Sequence, residues 1–292
     1  RGVRGTTGTQ ASFLDLFHGD HGKVEELGAR VAERMGFPRS FGVTGQTYPR
    51  KVDQAFLATL SGVGSSASKM GNDLRLLAHL REVEEPFEKE QIGSSAMPYK
   101  RNPMRAERIC ALSRHVLTLA QDPAFMAAPQ WLARTLDDSA TRRVSGPDAY
   151  LSLDGVLVLI ENVSRGLVEN PQVIEKNLEE HLQFLATETI LMRAVQQGGD
   201  RQALHERIRQ HSMAAALRMK EEGQRADLLE RISEDEAFGM SLPELQELVN
   251  PDHFVGRAPE QVDQFLGEWV MPVLDRYSSE SNQSIGDPDV RV

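Results

Sequence analysis

The chain has 292 residues, which is enough for one large domain or two smaller domains with a sizeable core. Aromatic residues make up only 6% of the chain, a composition that favours helices over a β-sandwich. The formal net charge of -10 disfavours a nucleic acid as partner, although a local arginine cluster can still bind a small anion. No apolar run approaches the ~20 residues of a membrane span, so we expect no membrane partner.

The single cysteine, Cys110, cannot form a disulfide within the chain. Chains without disulfides are typical of reducing compartments, so the composition predicts a cytoplasmic location. A lone thiol is more often a small core side chain than a nucleophile, and we interpret Cys110 as part of the core.

A long helix is the clearest structural prediction of the first half of the chain. It follows a short amphipathic piece at Ala11–Phe17, a helix at His21–Met35 and a loop at Thr44–Tyr48. We expect it to run from Pro49 to about Glu85, where Pro86 stops it. Helices of this length usually pack in bundles, often between subunits, so the pattern predicts a homo-oligomer. Its apolar residues follow heptad spacing at Phe56, Leu60, Val63, Ala67, Met70, Leu74 and Leu77.

The stretch Glu90–Pro103 is rich in Gly, Ser, Pro and Asn and predicts a loop, which we call the signature loop. A helix at Met104–Gln121 and a connection at Pro123–Pro129 follow. A second long apolar helix is predicted at Tyr150–Leu167. Gly146-Pro147 should start, kink or break that helix.

These elements predict an all-α fold: a long-helix bundle followed by a smaller C-terminal helical domain. We place the central bundle domain at residues 1–170, with the signature loop at 90–103. The composition changes at Asn170-Pro171, and the C-terminal domain is expected at 171–280. Residues 281–292 are polar and predict a disordered tail.

The signature loop carries the residues with the most chemical potential. Ser94 and Ser95 follow Gly93, and a lysine, Lys100, lies six residues beyond Ser94. A loop with hydroxyls and cations can close over an anionic substrate and exclude water. Lys100 can stabilise a developing carboxylate charge or lower the pKa of a nearby hydroxyl. From composition alone, a polar surface loop is the more frequent explanation of such a stretch.

The loop sequence, GSSAMPYKRNP, resembles the GSSxMPxKxNP signature of the fumarase/aspartase superfamily. Three further segments resemble the adenylosuccinate lyases within that superfamily, in their animal-type branch. The resemblance extends from Arg1 to about Tyr277. The three segments are Arg4–Gln10, Thr44–Tyr48 and Trp131–Ala140.

The resemblance implies an anti β-elimination that releases fumarate. The expected substrates are adenylosuccinate, which gives AMP, and succinyl-aminoimidazole carboxamide ribotide, both in purine biosynthesis. A homotetramer with sites shared between subunits is implied. No metal and no organic cofactor are implied, because acid, base and carboxylate stabilisation suffice for this elimination.

The resemblance also implies roles for individual residues. Ser94 matches the catalytic base, and Ser95 is the second candidate for that role. Lys100 and Asn102 match positions that face the succinyl carboxylates, and Gln46 matches a contact to a substrate amide. Arginine suits phosphate and carboxylate because its planar fork donates in pairs. The positions that match phosphate and carboxylate ligands are Arg108, Arg134, Ser139 and Arg143.

Several neighbouring residues have structural explanations. Arg108 shares a helix with Arg101, Arg105 and Arg114, any of which can be a solvated side chain. Acidic residues at a helix start are favoured by the helix dipole, so we interpret Asp137 and Asp138 as helix-capping residues. The eight histidines match no catalytic pattern and are interpreted as structural or exposed.

The chain begins at Arg1 without an initiator methionine, which suggests a cut within a longer protein. The family's general acid is a histidine in an N-terminal segment that this chain lacks, so we expect the fragment alone to be nearly inactive. The alternatives are another fumarate-releasing lyase, such as argininosuccinate lyase, fumarase or aspartase, and a non-catalytic helical oligomerisation scaffold.

Overall fold

The computed structural model describes residues 1–87, 97, 99–132, 134–137 and 139–281. Helices dominate these ranges, which confirms the all-α prediction. The chain divides into two compact units, of which the first comprises residues 1–169 and the second begins at Asn170. The disordered tail predicted at 281–292 falls almost wholly outside the described residues. Within the described ranges, no helix is both long and apolar enough to cross a membrane.

The first unit is built on three long helices. Its elements are α1 (Ala11–Leu16), α2 (His21–Arg34), α3 (Lys51–His79), β1 (Val83–Glu84), α4 (Met104–Leu119), α5 (Asp122–Ala127), α6 (Arg142–Arg165) and β2 (Val168–Glu169). Helices α3, α4 and α6 pack together around one core. That core consists of Ala67, Ile109, Val116, Leu153, Val156, Leu159 and Val163.

The α3–α4 contact is close because glycines face the neighbouring helix. A Cβ atom placed on Gly71 would lie 2.8 Å from the Cys110 sulfur and 3.1 Å from the Ala106 carbonyl oxygen. Gly64, two turns earlier, faces Ser113 and Val116. The chain direction of α4 is therefore opposite to that of α3. Cys110 is fully buried in this contact.

The buried line of α3 differs from the predicted heptad seam. Ala67 is buried and Leu60 and Leu74 pack on the core, but Phe56 and Val63 are 56% and 40% exposed. The buried positions include Leu57, Gly64 and Gly71. The apolar pattern overlooked the glycines, so at three places the buried residue is the one after the predicted one, whereas Ala67 is buried as predicted.

Helix α3 is also shorter than predicted. It ends at His79, and Arg81 adopts a left-handed backbone with φ 62°. Residues Val83–Glu84 then pair antiparallel with Val168–Glu169, so a small β-ladder replaces the last turns of the predicted helix. The partner strand lies far away in sequence, and local periodicity contains no information about such pairing.

The Gly146-Pro147 pair does not break α6, which runs continuously from Arg142 to Arg165. Pro147 lies in the second turn and is exposed, so the helix loses one hydrogen bond there without a steric conflict with a neighbouring helix. The first turn is anchored by Ser145, whose hydroxyl lies 2.6 Å from the Asp122 carboxylate. Asp122 begins the short helix α5, where the sequence predicted only a connection.

The second unit is a set of helices around its own core. A carboxylate between two arginines, Asp227, holds the start of α10: it accepts from Arg231 Nε at 2.8 Å and from Arg218 Nη1 at 2.5 Å. The hydrogen bond from Arg231 lowers the pKa of Asp227 most, and the hydrogen bond from Arg218 lowers it further. Burial acts in the opposite direction, but the pKa of Asp227 stays below its usual value. The elements are α7 (Pro171–Leu185), α8 (Thr187–Gln196), α9 (Arg201–Glu222), α10 (Leu228–Ser233), α11 (Leu242–Leu248), a 3₁₀ turn (Pro251–His253), α12 (Ala258–Phe265), a π-helical turn (Leu266–Val270) and α13 (Met271–Ser281).

We expect Gly71→Ala to destabilise the first unit by about 1–3 kcal/mol, because the added methyl group overpacks the α3–α4 contact. Gly62→Ala is the matched control on the same helix, since a Cβ there meets no atom within 4 Å. It should stabilise by up to about 1 kcal/mol through helix propensity. Urea unfolding measures both free energies. Equal effects of the two substitutions would contradict the close packing at Gly71.

Candidate active site

The candidate residues of the signature loop lie directly before α4. Lys100 is exposed and its amide donates to the Met97 carbonyl at 2.9 Å. Asn102 is half-buried and its carbonyl accepts from the Met104 amide at 2.8 Å. The two candidate bases, Ser94 and Ser95, lie outside the described residues.

The start of α4 is capped by a residue from the other side of the signature loop. The Glu85 carboxylate accepts from the amides of Arg105 and Ala106 at 2.9 and 3.0 Å. Pro103, at the N-cap position, makes no side-chain cap hydrogen bond. Glu85, which lies far from α4 in sequence, caps the helix instead. A carboxylate at a helix N-terminus is also favoured by the helix dipole.

Two arginines join the residues on either side of the signature loop. Arg105 is 1% exposed, and its guanidinium donates to the Pro86 carbonyl. Arg101 forms an ion pair with Glu84 at 2.8 Å and lies 5.0 Å from the centre of the Phe87 ring. These contacts give Arg101 and Arg105 structural roles, whereas Arg108 is exposed on α4. Arg108 and Arg114 are both exposed on α4, and of these two Arg108 is the one that the resemblance assigns to an anionic group of the substrate.

A second group of candidates surrounds the start of α3. Gln46 is exposed between two buried residues, Thr44 and Arg50. The opening segment packs here, since Gly8 has φ +88° and a Cβ atom on it would collide with the Thr44 carbonyl. Two of the segments that carry the resemblance, Arg4–Gln10 and Thr44–Tyr48, are thus in contact.

The third such segment lies against the Gln46 loop. Gln130 donates to the Thr47 hydroxyl at 3.4 Å, immediately before Trp131. Ser139 is 7% exposed, and its carbonyl accepts from Arg143 Nη1 at 2.5 Å. Arg134 and Arg143 are exposed. The second group of candidates is therefore Gln46, Arg134, Ser139 and Arg143.

The two groups lie at opposite ends of the helix bundle. Gln46 and Arg143 flank the starts of α3 and α6, whereas Lys100 and Asn102 precede α4, which is antiparallel to α3. Helix α3 has 29 residues and is therefore about 43 Å long. The described candidates do not converge within one copy of the chain. One small molecule can contact both groups only if the groups come from different copies.

One structural interpretation from the sequence is wrong. Asp137 was expected to cap a helix, but α6 begins at Arg142, and the exposed Asp137 lies in the preceding turn. Asp138 lies outside the described residues.

Two histidines have acidic partners: His115 lies 2.8 Å from Asp148, and His211 lies 2.9 Å from Asp235. Among the described residues, no group of three His, Cys, Asp or Glu side chains is placed to hold a metal ion.

Sequence reasoning missed the residues that support the candidates. Glu85 and Arg105 lie on opposite sides of the signature loop, and no local pattern pairs them. Tyr48 and Arg142 meet at a hydrogen bond of 3.1 Å, although 94 positions separate them in sequence. Tyr48 does belong to the Thr44–Tyr48 segment, but the resemblance of that segment implies a role for Gln46 and none for Tyr48.

Comparisons with known proteins show what the chain is similar to. The sequence profile described as "Lyase" matches residues 41–118, and the profile "Adenylosuccinate lyase C-terminus" matches residues 183–265. The chain is 54% identical over 282 residues to the adenylosuccinate lyase of Saccharomyces cerevisiae. It is 50% identical over 279 residues to that of Schizosaccharomyces pombe. These alignments cover 97% and 96% of this chain but 58% of each relative.

A solved structure shows the same fold. The 3-carboxy-cis,cis-muconate lactonizing enzyme from Pseudomonas putida matches with a TM-score of 0.72 and 24% identity. The match covers 90% of this chain and 56% of that chain. At this level of identity the similarity concerns the fold alone.

The helix bundle carries the match to the lyase profile at residues 41–118, and the solved structure reported above shares its fold. Over 97% of its length the chain is similar to an adenylosuccinate lyase, and residues 183–265 match the C-terminal profile of that family. It spans 58% of the length of the curated relatives reported above.

We expect Glu85→Ala to lower the free energy of unfolding of the first unit by about 1–2 kcal/mol, because two amides of α4 lose their acceptor. Glu107→Ala is the matched control, since Glu107 is exposed in the same first turn. It should lose only the dipole contribution of about 0.3–1 kcal/mol. Thermal unfolding of both variants measures the difference, and a Glu85→Ala loss no larger than the control would contradict the capping role.

Proposed function

We propose that the full-length protein containing this chain is an adenylosuccinate lyase. It eliminates fumarate from adenylosuccinate, giving AMP, and from succinyl-aminoimidazole carboxamide ribotide. The observation that carries the proposal is the 54% identity to the Saccharomyces cerevisiae relative across 97% of this chain. The activity places the protein in purine biosynthesis, and we propose a cytoplasmic location with it.

In the proposed mechanism, Ser94 is the base that removes a proton from the succinyl carbon next to a carboxylate. An isolated serine is a weak base, so its alkoxide needs stabilisation, for which Lys100 and loop amides are candidates. Lys100, Asn102 and Ser95 hold the succinyl carboxylates while negative charge develops on one of them. The carbon–nitrogen bond then breaks, fumarate leaves and an acid protonates the departing amine. We propose that this acid comes from a part of the full-length protein outside this chain, corresponding to the portion of the relatives that the chain does not match.

The rest of the nucleotide is held by the second group. Gln46 contacts a substrate amide, and Arg134, Ser139 and Arg143 bind phosphate or carboxylate oxygens. Arg108 binds the same kind of group from the first turns of α4. Exposed arginines suit this task because they can donate to an anion in pairs.

We propose that the active protein is a homotetramer whose sites combine ends from different copies. The positions of the two candidate groups at opposite bundle ends support this, since neither group is a complete site. Large apolar side chains also remain exposed on the bundle helices of a single copy, which is typical of subunit interfaces. They include Phe56, Val63, Leu76, Val144, Leu151 and Leu157.

The decisive assay measures fumarate release by the full-length protein from adenylosuccinate and from argininosuccinate. We expect activity on adenylosuccinate only. Ser94→Ala should lower kcat by about 10²–10⁴-fold, the usual contribution of a general base. Ser65→Ala, on the exposed side of α3, is the matched control and should leave kcat unchanged.

The other outcomes separate the alternatives. Release from argininosuccinate instead would identify a different lyase of the same superfamily. A protein with no turnover of either substrate and no thermal stabilisation by AMP would be an oligomerisation scaffold. Full activity of Ser94→Ala would transfer the base role to Ser95.

A further inference from the structure

A polar cluster joins the starts of α3 and α6 beneath the Gln46 loop. The Tyr48 hydroxyl donates to Asp53 Oδ1 at 2.7 Å and accepts from Arg142 Nη1 at 3.1 Å. Asp53 lies in the first turn of α3, and Arg142 is the first residue of α6. One hydroxyl therefore connects a loop and two helices. We call Tyr48, Asp53 and Arg142 the Tyr48 clamp.

Two arginine side chains also lie close to the ring of Tyr48. The guanidinium of Arg50, which is 3% exposed, lies 4.8 Å from the ring centre. The guanidinium of Arg142 lies 5.9 Å from the same centre. Cation–π contacts at these distances are attractive, and they are stronger where solvent is excluded. The ring therefore has little freedom to rotate away from Asp53.

The hydroxyl stays protonated at neutral pH and can donate and accept at once. Burial raises the pKa of Tyr48, and the hydrogen bond to Asp53 raises it further. The positive charges of Arg142 and Arg50 act in the opposite direction but do not reverse the shift. A phenol with both roles fixes two partners relative to each other, which a phenylalanine cannot do.

The Tyr48 clamp lies between candidate substrate-binding residues, but none of its three residues is itself such a candidate. Tyr48 follows Gln46 by two residues. Arg142 adjoins Arg143, whose guanidinium donates to the Ser139 carbonyl at 2.5 Å. The separate Gln130–Thr47 hydrogen bond at 3.4 Å is longer and therefore weaker. The Tyr48–Arg142 hydrogen bond, at 3.1 Å, is thus the shorter of these two links between the Gln46 loop and the segment that precedes and begins α6.

We propose that Tyr48 is a positioning residue that fixes the spacing between Gln46 and the Ser139–Arg143 turn. Through Arg142 it holds the amide contact and the anion contacts of one substrate at a constant distance. This inference rests on the proposed function and deepens it, since it assigns a role at the same site to a residue that contacts no substrate.

The test compares full-length wild-type protein and Tyr48→Phe in adenylosuccinate turnover. Gln46 and the residues of the Ser139–Arg143 turn are proposed to contact parts of the substrate that do not react. Their displacement therefore weakens the binding of the ground state and of the transition state alike. We expect KM to rise about 10-fold or more while kcat changes less than about 2-fold. Tyr277→Phe, an exposed tyrosine in the second unit, is the matched control and should leave both constants unchanged.

Three further variants test the route of the effect: Asp53→Asn, Arg142→Gln and the double variant Tyr48→Phe/Arg142→Gln. Asp53→Asn keeps a hydrogen-bond acceptor for the Tyr48 hydroxyl and should retain most of the wild-type KM. In the Tyr48→Phe/Arg142→Gln double variant, KM should rise no further than in the worse single variant, because both act through one contact. Independent, multiplying increases in KM would overturn the proposed route through Arg142.

The failures of the two proposals are distinguishable. A wild-type protein that does not release fumarate would overturn both. An active wild-type protein with an unchanged KM in Tyr48→Phe would overturn only the positioning role. A lowered melting temperature of Tyr48→Phe with a wild-type KM at 25 °C would show that the clamp is structural, and it too would overturn the inference.

Discussion

The close contact between α3 and α4 at Gly71 is the constraint from which the arrangement of this chain follows. A side chain at that position would meet the Cys110 sulfur and the Ala106 carbonyl, so glycine sets the distance between the helix axes. Because the helices run antiparallel, the segment before α3 and the segment before α4 lie at opposite ends of the bundle. Those two segments hold Gln46 on one side and Lys100 with Asn102 on the other. The packing of the core thus separates the two groups of candidates within one copy, which is the basis of the proposed shared site.

At each end of the bundle, a buried arginine and a second polar side chain hold the segment that carries or flanks the candidate residues. Before α4, the buried Arg105 and the capping carboxylate of Glu85 hold the residues that flank the signature loop. Before α3, the buried Arg50 and the Tyr48 hydroxyl hold the Gln46 loop against the start of α6. In both places structural arginines leave nearby exposed arginines, Arg108 and Arg143, available for an anionic ligand. Buried charges of this kind persist where their partners are well placed.

Much of the fold was predictable from sequence because helix periodicity is a local property. The starts of α2 at His21 and α4 at Met104 agree with the predicted positions. The errors fall where distant contacts overrule local pattern. The antiparallel partner of Val83–Glu84 ends α3 early, and the anchored first turn of α6 tolerates Pro147. The glycine seam was missed because glycine contributes no apolar side chain to a periodic pattern.

The candidate ligands were predictable only through the resemblance of their segments to a known family. Residue chemistry alone left a polar surface loop as the more frequent explanation of Ser94 and Lys100. The roles of Ser94 and Ser95 stay predictions, since both lie outside the described residues. The supporting residues, Tyr48 and Arg105, were not predictable, because their partners are brought close only by folding.

The central claim, that a site combines opposite ends of different copies, can be tested by mixing two inactive full-length variants. Lys100→Met disables one bundle end and Arg134→Met the other, and neither should release fumarate efficiently from adenylosuccinate. After dissociation and random reassembly, about a quarter of the sites in the mixture should receive both intact ends, because each site draws its two ends from different copies. Recovery of that fraction of wild-type turnover is the predicted result. A mixture as inactive as its separate components would contradict the account.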